Sequence, residues 1–431
     1  MSTAGTNEYP IGWLNTKLSN LVVVNYGKAL SGANRSLTGR VPVVGSSGIV
    51  GWHDDALVTG PCLVVGRKGA AGAVHFVQQP CWPIDTAYYI QPPVGVQLEY
   101  LNYLLRLLQL GQLDKSTAIP SLSRDDLYCV DIPLAPEAEQ TRIVEKVEEL
   151  LTGLDAGVAE LKAAQKKLAQ YRLSLLKAAV EGTDTGRAFP KVMLGDLVAA
   201  IGQGWSPKCE HEAASNIEQW AVMKTTAIQP LAFDGSHNKV LPKGLKPREH
   251  LELKSGDLLV TRAGPRNRVG VTCLVRTTRE RLILCDKAYR IRCDETKIDP
   301  SFLELVLNAP HMVQRIDELK TGISDSGLNL TQDRFFTLEI PLPALEVQRA
   351  VIDKIHHQVE LIQNQENSIE ISLKQSTVQR QNILKAAFSG HLVPQDPSDE
   401  PASELLARIR AERAAQQAVK KSRGHKVKEA A

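Results

Sequence analysis

Ile132-Pro133-Leu134-Ala135-Pro136-Glu137-Ala138-Glu139-Gln140 opens a stretch that closes on Leu176-Lys177-Ala178-Ala179 and Gly182, and the whole of residues 132–182 returns without a gap as residues 340–390. Ile132-Pro133-Leu134 becomes Ile340-Pro341-Leu342, Gln140 becomes Gln348, Lys146 becomes Lys354 and Arg172 becomes Arg380. The ending becomes Leu384-Lys385-Ala386-Ala387 and Gly390. A gapless match of this length marks an internal repeat. In the first copy Val147, Leu154, Leu161, Leu168 and Leu175 share one heptad position, with Ile143, Leu150, Gly157, Ala164, Tyr171 and Ala178 at its companion. That spacing predicts a long coiled-coil helix. Pro136 suits the first turn and Gly182 the stop, so the helix is expected over about 136–180, roughly 65 Å at 1.5 Å per residue. The second copy keeps Ile355, Ile362, Ile369 and Ile383 but sets Ser376 among them and Gln358, Gln365, Ser372 and Gln379 beside them. So wet a seam does not stand alone, and the two repeats are expected to pair as an antiparallel coiled coil whose polar positions fix the register.

A variable block precedes each repeat, giving expected divisions at 1–131, 132–182, 183–339, 340–390 and a basic tail, 391–431. Both blocks are long enough to be domains. The first runs through Val41-Pro42-Val43-Val44-Gly45-Ser46-Ser47-Gly48-Ile49-Val50-Gly51, Cys62-Leu63-Val64-Val65-Gly66-Arg67-Lys68-Gly69 and Ala87-Tyr88-Tyr89-Ile90, with a helix expected over 98–110. Short β-rich runs punctuated by glycine suggest a curved sheet. The second block has the same order: Leu258-Leu259-Val260-Thr261-Arg262-Ala263-Gly264, then Asp286-Lys287-Ala288-Tyr289-Arg290-Ile291, then a helix over about 300–319. Arg67 and Gly69 match Arg262 and Gly264, and Asp85, Ala87, Tyr88 and Ile90 match Asp286, Ala288, Tyr289 and Ile291. The blocks therefore read as divergent copies of one α+β fold. Before each repeat, Ser121-Leu122-Ser123-Arg124-Asp125 corresponds to Asn329-Leu330-Thr331-Gln332-Asp333, where Ser123 and Thr331 are placed to cap a short turn. The same scaffold with different loops suits two distinct readouts.

With 431 residues and 43% hydrophobic content the chain can bury two modest cores, and no apolar run approaches the eighteen or so residues of a membrane span. The polar first ten residues lack a signal-peptide core, so a cytoplasmic location is expected. Seven scattered cysteines without a CxxC pair argue against a disulfide framework and a zinc site. Net charge is +3, yet residues 239–292 carry fourteen basic and five acidic side chains, a density able to supply phosphate contacts.

The layout, the Ile-Pro-Leu entry with a glutamine six residues after its leucine, the Gly-Arg-Lys-Gly and Thr-Arg-Ala-Gly turns, and Ala118-Ile119-Pro120-Ser121-Leu122-Ser123 together resemble the specificity subunit of type I restriction-modification systems. The resemblance covers about residues 10–410. It implies that each block is a target recognition domain reading half of a bipartite, asymmetric double-stranded DNA site, with the paired helices holding the two apart. It also implies two methyltransferase and two restriction subunits as partners. S-adenosylmethionine, ATP and Mg would be bound by those partners, and no cofactor or metal by this chain.

The residues agree that catalysis lies elsewhere. Gln91-Pro92-Pro93-Val94 is the nearest approach to the (Asn/Asp)-Pro-Pro-(Tyr/Phe) turn of an adenine methyltransferase, but its first residue is neither Asn nor Asp and it lacks the stacking aromatic. It reads as a turn ending a strand. A Gly-Xaa4-Gly-Lys-(Ser/Thr) phosphate loop is also missing. Arginine and lysine bind phosphate or guanine, and hydroxyl and amide side chains read base edges. Candidate DNA contacts in the first block are accordingly Lys28, Arg35, Ser46, Ser47, His53, Arg67, Lys68, Thr117 and Ser121. In the second they are Gln203, Trp205, Lys224, Thr225, Arg262, Arg266, Asn267, Arg268, Ser324, Ser326 and Asn329. For Arg67 and Arg262 an internal partnership with Asp85 and Asp286 is an equal alternative. Gln140, Lys146, Gln348 and Lys354, repeated in both helices, are the expected contacts with partner subunits. Two other functions stay open: a coiled-coil adaptor without DNA readout, and the remnant of a fused methyltransferase-nuclease.

Overall fold

The computed structural model describes residues 9–32, 35–36, 39–116, 118–183, 186, 188–209 and 212–429, with side chains through residue 415. The chain divides into two compact units, residues 1–161 with 371–431, and residues 162–370. In chain order the first block forms β1 (Leu14–Lys17), α1 (Leu18–Leu21), β2 (Asn25–Tyr26), β3 (Val41–Gly45), β4 (Gly48–His53), β5 (Cys62–Gly66), β6 (Val74–Val77), β7 (Trp82–Pro83), β8 (Ala87–Ile90), α2 (Leu98–Leu107), α3 (Arg124–Tyr128) and β9 (Asp131–Leu134), which leads into the long helix α4 (Glu137–Glu181). The second block forms β10 (Lys191–Met193), β11 (Val198–Gln203), β12 (Ala221–Met223), β13 (Ile228–Gln229), β14 (Ala232–Phe233), β15 (Asn238–Val240), β16 (Leu258–Thr261), β17 (Ala263–Gly264), β18 (Thr272–Leu274), β19 (Leu282–Ile283), β20 (Ala288–Cys293), α5 (Pro300–Asn308), α6 (Pro310–Glu318), β21 (Leu328–Asn329), α7 (Gln332–Phe336) and β22 (Glu339–Pro341). Then come α8 (Leu345–Phe388) and α9 (Ala402–Glu429).

The two blocks share one topology. An antiparallel four-stranded sheet has the order β2-β8-β5-β6 in the first and β11-β20-β16-β18 in the second. A three-stranded sheet, β4-β3-β7 or β15-β12-β19, holds one parallel pair, β3 with β7 and β12 with β19. A two-stranded ladder, β1 with β9 or β10 with β22, closes each block just before its long helix. The strands β5 and β16 explain the layering. Their unbroken apolar runs are buried on both faces, so alternate side chains enter two different cores. Leu63 and Val65 join the main core with Leu101 and Leu105 of α2, while Cys62 and Val64 meet Val44, Val58 and Cys81. Leu258 and Val260 join Phe302 and Val306 of α5, while Leu259 meets Val222 and Ile283. Gly27 and Gly204 mark equivalent close approaches, since a Cβ would stand 2.1 Å from Ile84 O and 2.2 Å from Leu284 O. The second block differs mainly between β12 and β15, where the β13–β14 hairpin replaces the tight turn joining β3 to β4.

Within the first unit, Ile143, Val144, Val147 and Leu151 near the start of α4 share a core with Ile383, Leu384, Ala387 and Phe388 at the end of α8. Within the second, Leu176, Ala179 and Val180 near the end of α4 share a core with Ile352 and Ile355 near the start of α8. The helices therefore run antiparallel, as their periodicity predicts. The second seam column holds at Ile143, Leu150, Ala164 and Ala178 of α4 and shifts by one residue elsewhere. Val158 and Arg172, not Gly157 and Tyr171, are half-buried on α4, and Glu366 and Arg380, not Gln365 and Gln379, on α8, where Gln358 and Ser372 are half-buried beside Val359 and Leu373. A column four residues after the first is as compatible with 3.6 residues per turn as one three residues after it. Arg380 uses its place to reach Asp155.

Other differences also have local causes. The helix expected over 300–319 breaks in two because Pro310 lacks an N–H and pushes Ala309 into an extended conformation. The helix expected over 98–110 ends at Leu107, and Gln109 turns left-handed at φ 47° before a 3-10 turn at Leu110–Leu113. Ser123 caps α3, its Oγ accepting from Asp126 N at 3.0 Å, but Thr331 makes no side-chain cap bond to α7. The segment read as a tail starts as part of the first unit's core, with Ala402, Leu405, Leu406 and Ile409 of α9 buried there. Arg413 donates to Ser19 O and Asn20 O, and Ala402 N donates to Gly12 O.

Candidate nucleic-acid interface

The duplicated fold repeats a small network around Arg67 and Arg262, and it positions the exposed rim of each four-stranded sheet. Arg67 N donates to Thr86 O and Arg262 N to Lys287 O; Leu122 N donates to Arg67 O and Leu330 N to Arg262 O. The phenols close the circuit, Tyr88 Oη donating to Leu122 O and Tyr289 Oη to Leu330 O, both at 3.1 Å. The guanidinium of Arg67 donates to Asp85 O at 3.1 Å and that of Arg262 to Asp286 O at 2.8 Å. Both arginines are thus partnered to the anticipated aspartates, but through the backbone carbonyl, which leaves part of each guanidinium fork facing outward.

In the first unit Arg67, Lys68 and Ser121 come together on a cleft of about 300 Å3 that also takes in Tyr26, Ser123 and Arg124. Lys28 lies 5.8 Å from the Trp82 ring centroid, and the His53 ring packs edge-on against the same indole at 5.1 Å. Ser47 is exposed at the tip of the β3–β4 hairpin. Arg35 and Ser46 are taken up internally. Arg35 donates to Val50 O and Leu30 O, while Ser46 is buried and its carbonyl accepts from His75 Nε2 at 2.9 Å. Thr117 lies outside the described residues.

In the second unit Lys224 and Thr225 line a cavity of about 450 Å3 with Lys239 and Lys287, and Trp205 sits under Arg248 at 4.5 Å. Gln203, Asn267, Ser324, Ser326 and Asn329 are exposed. Ser324 and Ser326 hydroxyls lie 2.9 Å apart. Arg268 is structural: it donates to Thr225 O and Ile228 O at 2.7 and 2.5 Å, fastening the extra hairpin. Arg266 is held by Asp317 at 2.6 Å and Asp325 at 3.4 Å, and the hydrogen bonds from Arg266 and Lys320 pull the Asp317 carboxyl down to about 2. Much of the basic surplus of residues 239–292 is likewise used inside the unit. Arg276 pairs with the buried Glu304, Arg279 donates to Asn216 O and Gln219 O, Arg281 pairs with Glu218, and Arg290 donates to His250 O and Glu252 O. Arginines that look like a phosphate footprint in the sequence therefore hold loops together.

The repeated glutamines are internal as well. Gln140 is fully buried, its amide donating to Ala135 O and its Oε1 accepting from Gln97 N. Gln348 repeats the arrangement with Pro343 O, Lys297 O and Asp299 N. They anchor each long helix to its own block and do not present an amide to another subunit. Lys146 pairs with Glu149 on the surface, and Lys354 lies on the exposed side of α8.

Tyr26, Arg124 and Gln332 are the rim residues that sequence reasoning passed over. Arg124 and Gln332 stand inside the matched Ser121 and Asn329 segments, and Tyr26 would emerge on carrying the block alignment back from Gln203. Among the described residues no group of three metal-ligating side chains occurs and no helix is long and apolar enough to cross a membrane.

A family model described as a type I restriction modification DNA specificity domain matches residues 10–166. The type I restriction enzyme EcoEI specificity subunit of Escherichia coli is 39% identical over 162 residues, which cover 38% of this chain and 27% of that protein. The EcoDI specificity subunit of Escherichia coli is 22% identical over 468 aligned residues, covering 96% of this chain and 98% of that one. Among solved structures, a chain from a study of complex assembly and conformational transition of the type I R-M system superposes with a TM-score of 0.66. Its sequence identity is 17%, over 89% of this chain and 99% of that one.

Proposed function

Since the chain belongs to the specificity subunits of type I restriction-modification systems, we propose that its two blocks, residues 1–131 and 183–339, are target recognition domains that each read one half of a bipartite, asymmetric double-stranded DNA site. A specificity subunit recognises DNA targets within the complex and is the non-catalytic part of that enzyme. The observation that supports the assignment for both blocks is the repeated topology: one sheet order and one hydrogen-bond circuit occur twice, with different side chains on the exposed rim. Two copies of one reader with unlike rims suit a site whose halves differ.

The chain assembles within a type I complex. Its partners in this reading are two adenine methyltransferase subunits, which bind S-adenosylmethionine, and in the full assembly two restriction subunits, which bind ATP and Mg. The exposed faces of α4 and α8 are the surfaces offered to them, and the assembly works in the cytoplasm. The purified chain alone is expected to show neither methyl transfer nor ATP hydrolysis, with methyl transfer appearing on addition of the methyltransferase subunits. Methyl transfer by the chain freed of every other protein would refute the assignment.

A further inference from the structure

Tyr26 and Gln203 hold the same place in the two folds, at the end of the edge strand of the four-stranded sheet, opposite Tyr88 and Tyr289. Around Tyr26 the first fold gathers two guanidinium groups, for the central carbons of Arg67 and Arg124 each lie 5.1 Å from its ring centroid. Arg67 has an anchor in Asp85 O. The Arg124 guanidinium, 5.9 Å from the Tyr128 ring centroid as well, makes no hydrogen bond among the described residues, and its Nε is buried without an acceptor. Two like charges on one half-exposed ring repel each other, and the attraction of a cation to an exposed aromatic face offsets that only weakly. A ligand offering acceptors would complete the arrangement. The guanidinium fork matches the O6 and N7 acceptors on the major-groove edge of guanine.

The second fold carries amides at the same places. Gln203 stands for Tyr26, Gln332 for Arg124 and Asn329 for Ser121, while Arg262 keeps the position of Arg67 and its bond to the carbonyl of the matched aspartate. The side chains of Gln203, Asn329 and Gln332 are exposed and hydrogen-bond to nothing among the described residues. A primary amide donates and accepts at once, the pattern that matches N6 and N7 of adenine.

The geometry points to this equivalent rim as the base-reading position of each fold, the first taking guanine through Arg124 on Tyr26, the second taking adenine through Gln203 and Gln332. The assignment rests on the DNA-recognition function proposed above. It is tested by binding the full chain, with its methyltransferase partners, to duplex libraries randomised across each half of its methylated motif, at two salt concentrations. Arg124→Lys keeps the charge and loses the fork. It should reduce guanine preference at one base pair of one half-site by roughly 5- to 150-fold while the salt slope stays unchanged. Gln332→Arg should reduce adenine preference at one base pair of the other half-site, leaving the first untouched. Melting of the variant chains checks that the fold is intact, as the side chains of Arg124 and Gln332 have no hydrogen bond among the described residues to lose. If Arg124→Lys selects as the native chain does, while Arg124→Gln weakens all sequences alike and lowers the salt slope by about one, Arg124 is a phosphate contact and the assignment is overturned. If the native complex selects no split site at all, the recognition function itself fails. A native split site with unaltered preferences in the variants overturns only this assignment.

Discussion

Gln140 and Gln348 illustrate how a repeated polar residue acquires a structural task. Each sits at the first turn of a long helix, fully buried, and satisfies carbonyls of the chain entering that turn as well as an N–H of the block beside it. Replacing either with alanine leaves buried donors and acceptors unpaired, at a cost of about 1–3 kcal/mol for each orphaned group. Urea unfolding of Gln140→Ala or Gln348→Ala should therefore show a lower midpoint, while the methylated motif of the complex stays the same. Unchanged stability with lost assembly would return these residues to a partner surface. Asp317 provides a pH signature of the second unit. Its carboxyl is held at about 2 by Arg266 and Lys320, below its ordinary value, so its contribution is complete above the unfolded carboxylate range and fades as pH falls toward about 2. The pair is partly exposed, so solvent screening limits the contribution to about 1 kcal/mol or less. Asp317→Asn should be less stable than the native chain at pH 7, with the gap narrowing as the buffer is taken from pH 5 to pH 3. A gap that widened on acidification would show that the ion pair is not the cause.

At the scale of elements, α4 shows where sequence periodicity is informative and where it stops. Its bounds at Glu137 and Glu181 fall within a residue of those expected from Pro136 and Gly182, since a proline and a glycine impose local backbone constraints. The column facing α8 was less legible, because heptad spacing does not separate Gly157 from Val158 or Tyr171 from Arg172, and the partner's shape decides. The end of the chain makes the same point in composition. Charge marked residues 391–431 as a basic tail, whereas Leu405, Leu406 and Ile409 form one apolar stripe that covers the first unit's core. A chain ending at Gly390 should lose several kcal/mol of stability in that unit, at about 1.5–3 kcal/mol for each buried aliphatic side chain, while one ending at Ala415 should melt as the full chain does. Equal melting of the Gly390 and full-length chains would show that α9 is dispensable there. The helices also invite a length test. Four residues inserted after Leu154 add about 6 Å of helix and rotate the C-terminal remainder of α4 by about 40°. If the pair sets the distance between recognition domains, the spacer of the methylated motif should lengthen by roughly two base pairs with both half-sites unchanged. An active insertion mutant with its spacer unaltered would leave the helices as docking surfaces alone.

The whole molecule is a fold written twice, and that much could be read from residues such as Arg67 and Arg262 or Tyr88 and Tyr289, which keep their places because a hydrogen-bond circuit requires them. The rim was less legible for the opposite reason. Tyr26 and Gln203 share a position but no chemistry, and the backbone pairing reveals them as equivalents; Arg124 and Gln332 fall at matched places in the sequence, but their unlike chemistry hid the shared role. The basic stretch misled because arginine serves a loop carbonyl as well as a phosphate, and sequence does not say which is nearer. The central claim is that this chain chooses the DNA on which a type I complex acts. Mapping methylated adenines by long-read sequencing of the source genome, with the gene present and deleted, tests it most directly. One split, asymmetric motif should vanish on deletion and return with the gene, while every other motif persists. A methylation pattern identical in the two strains would contradict the account.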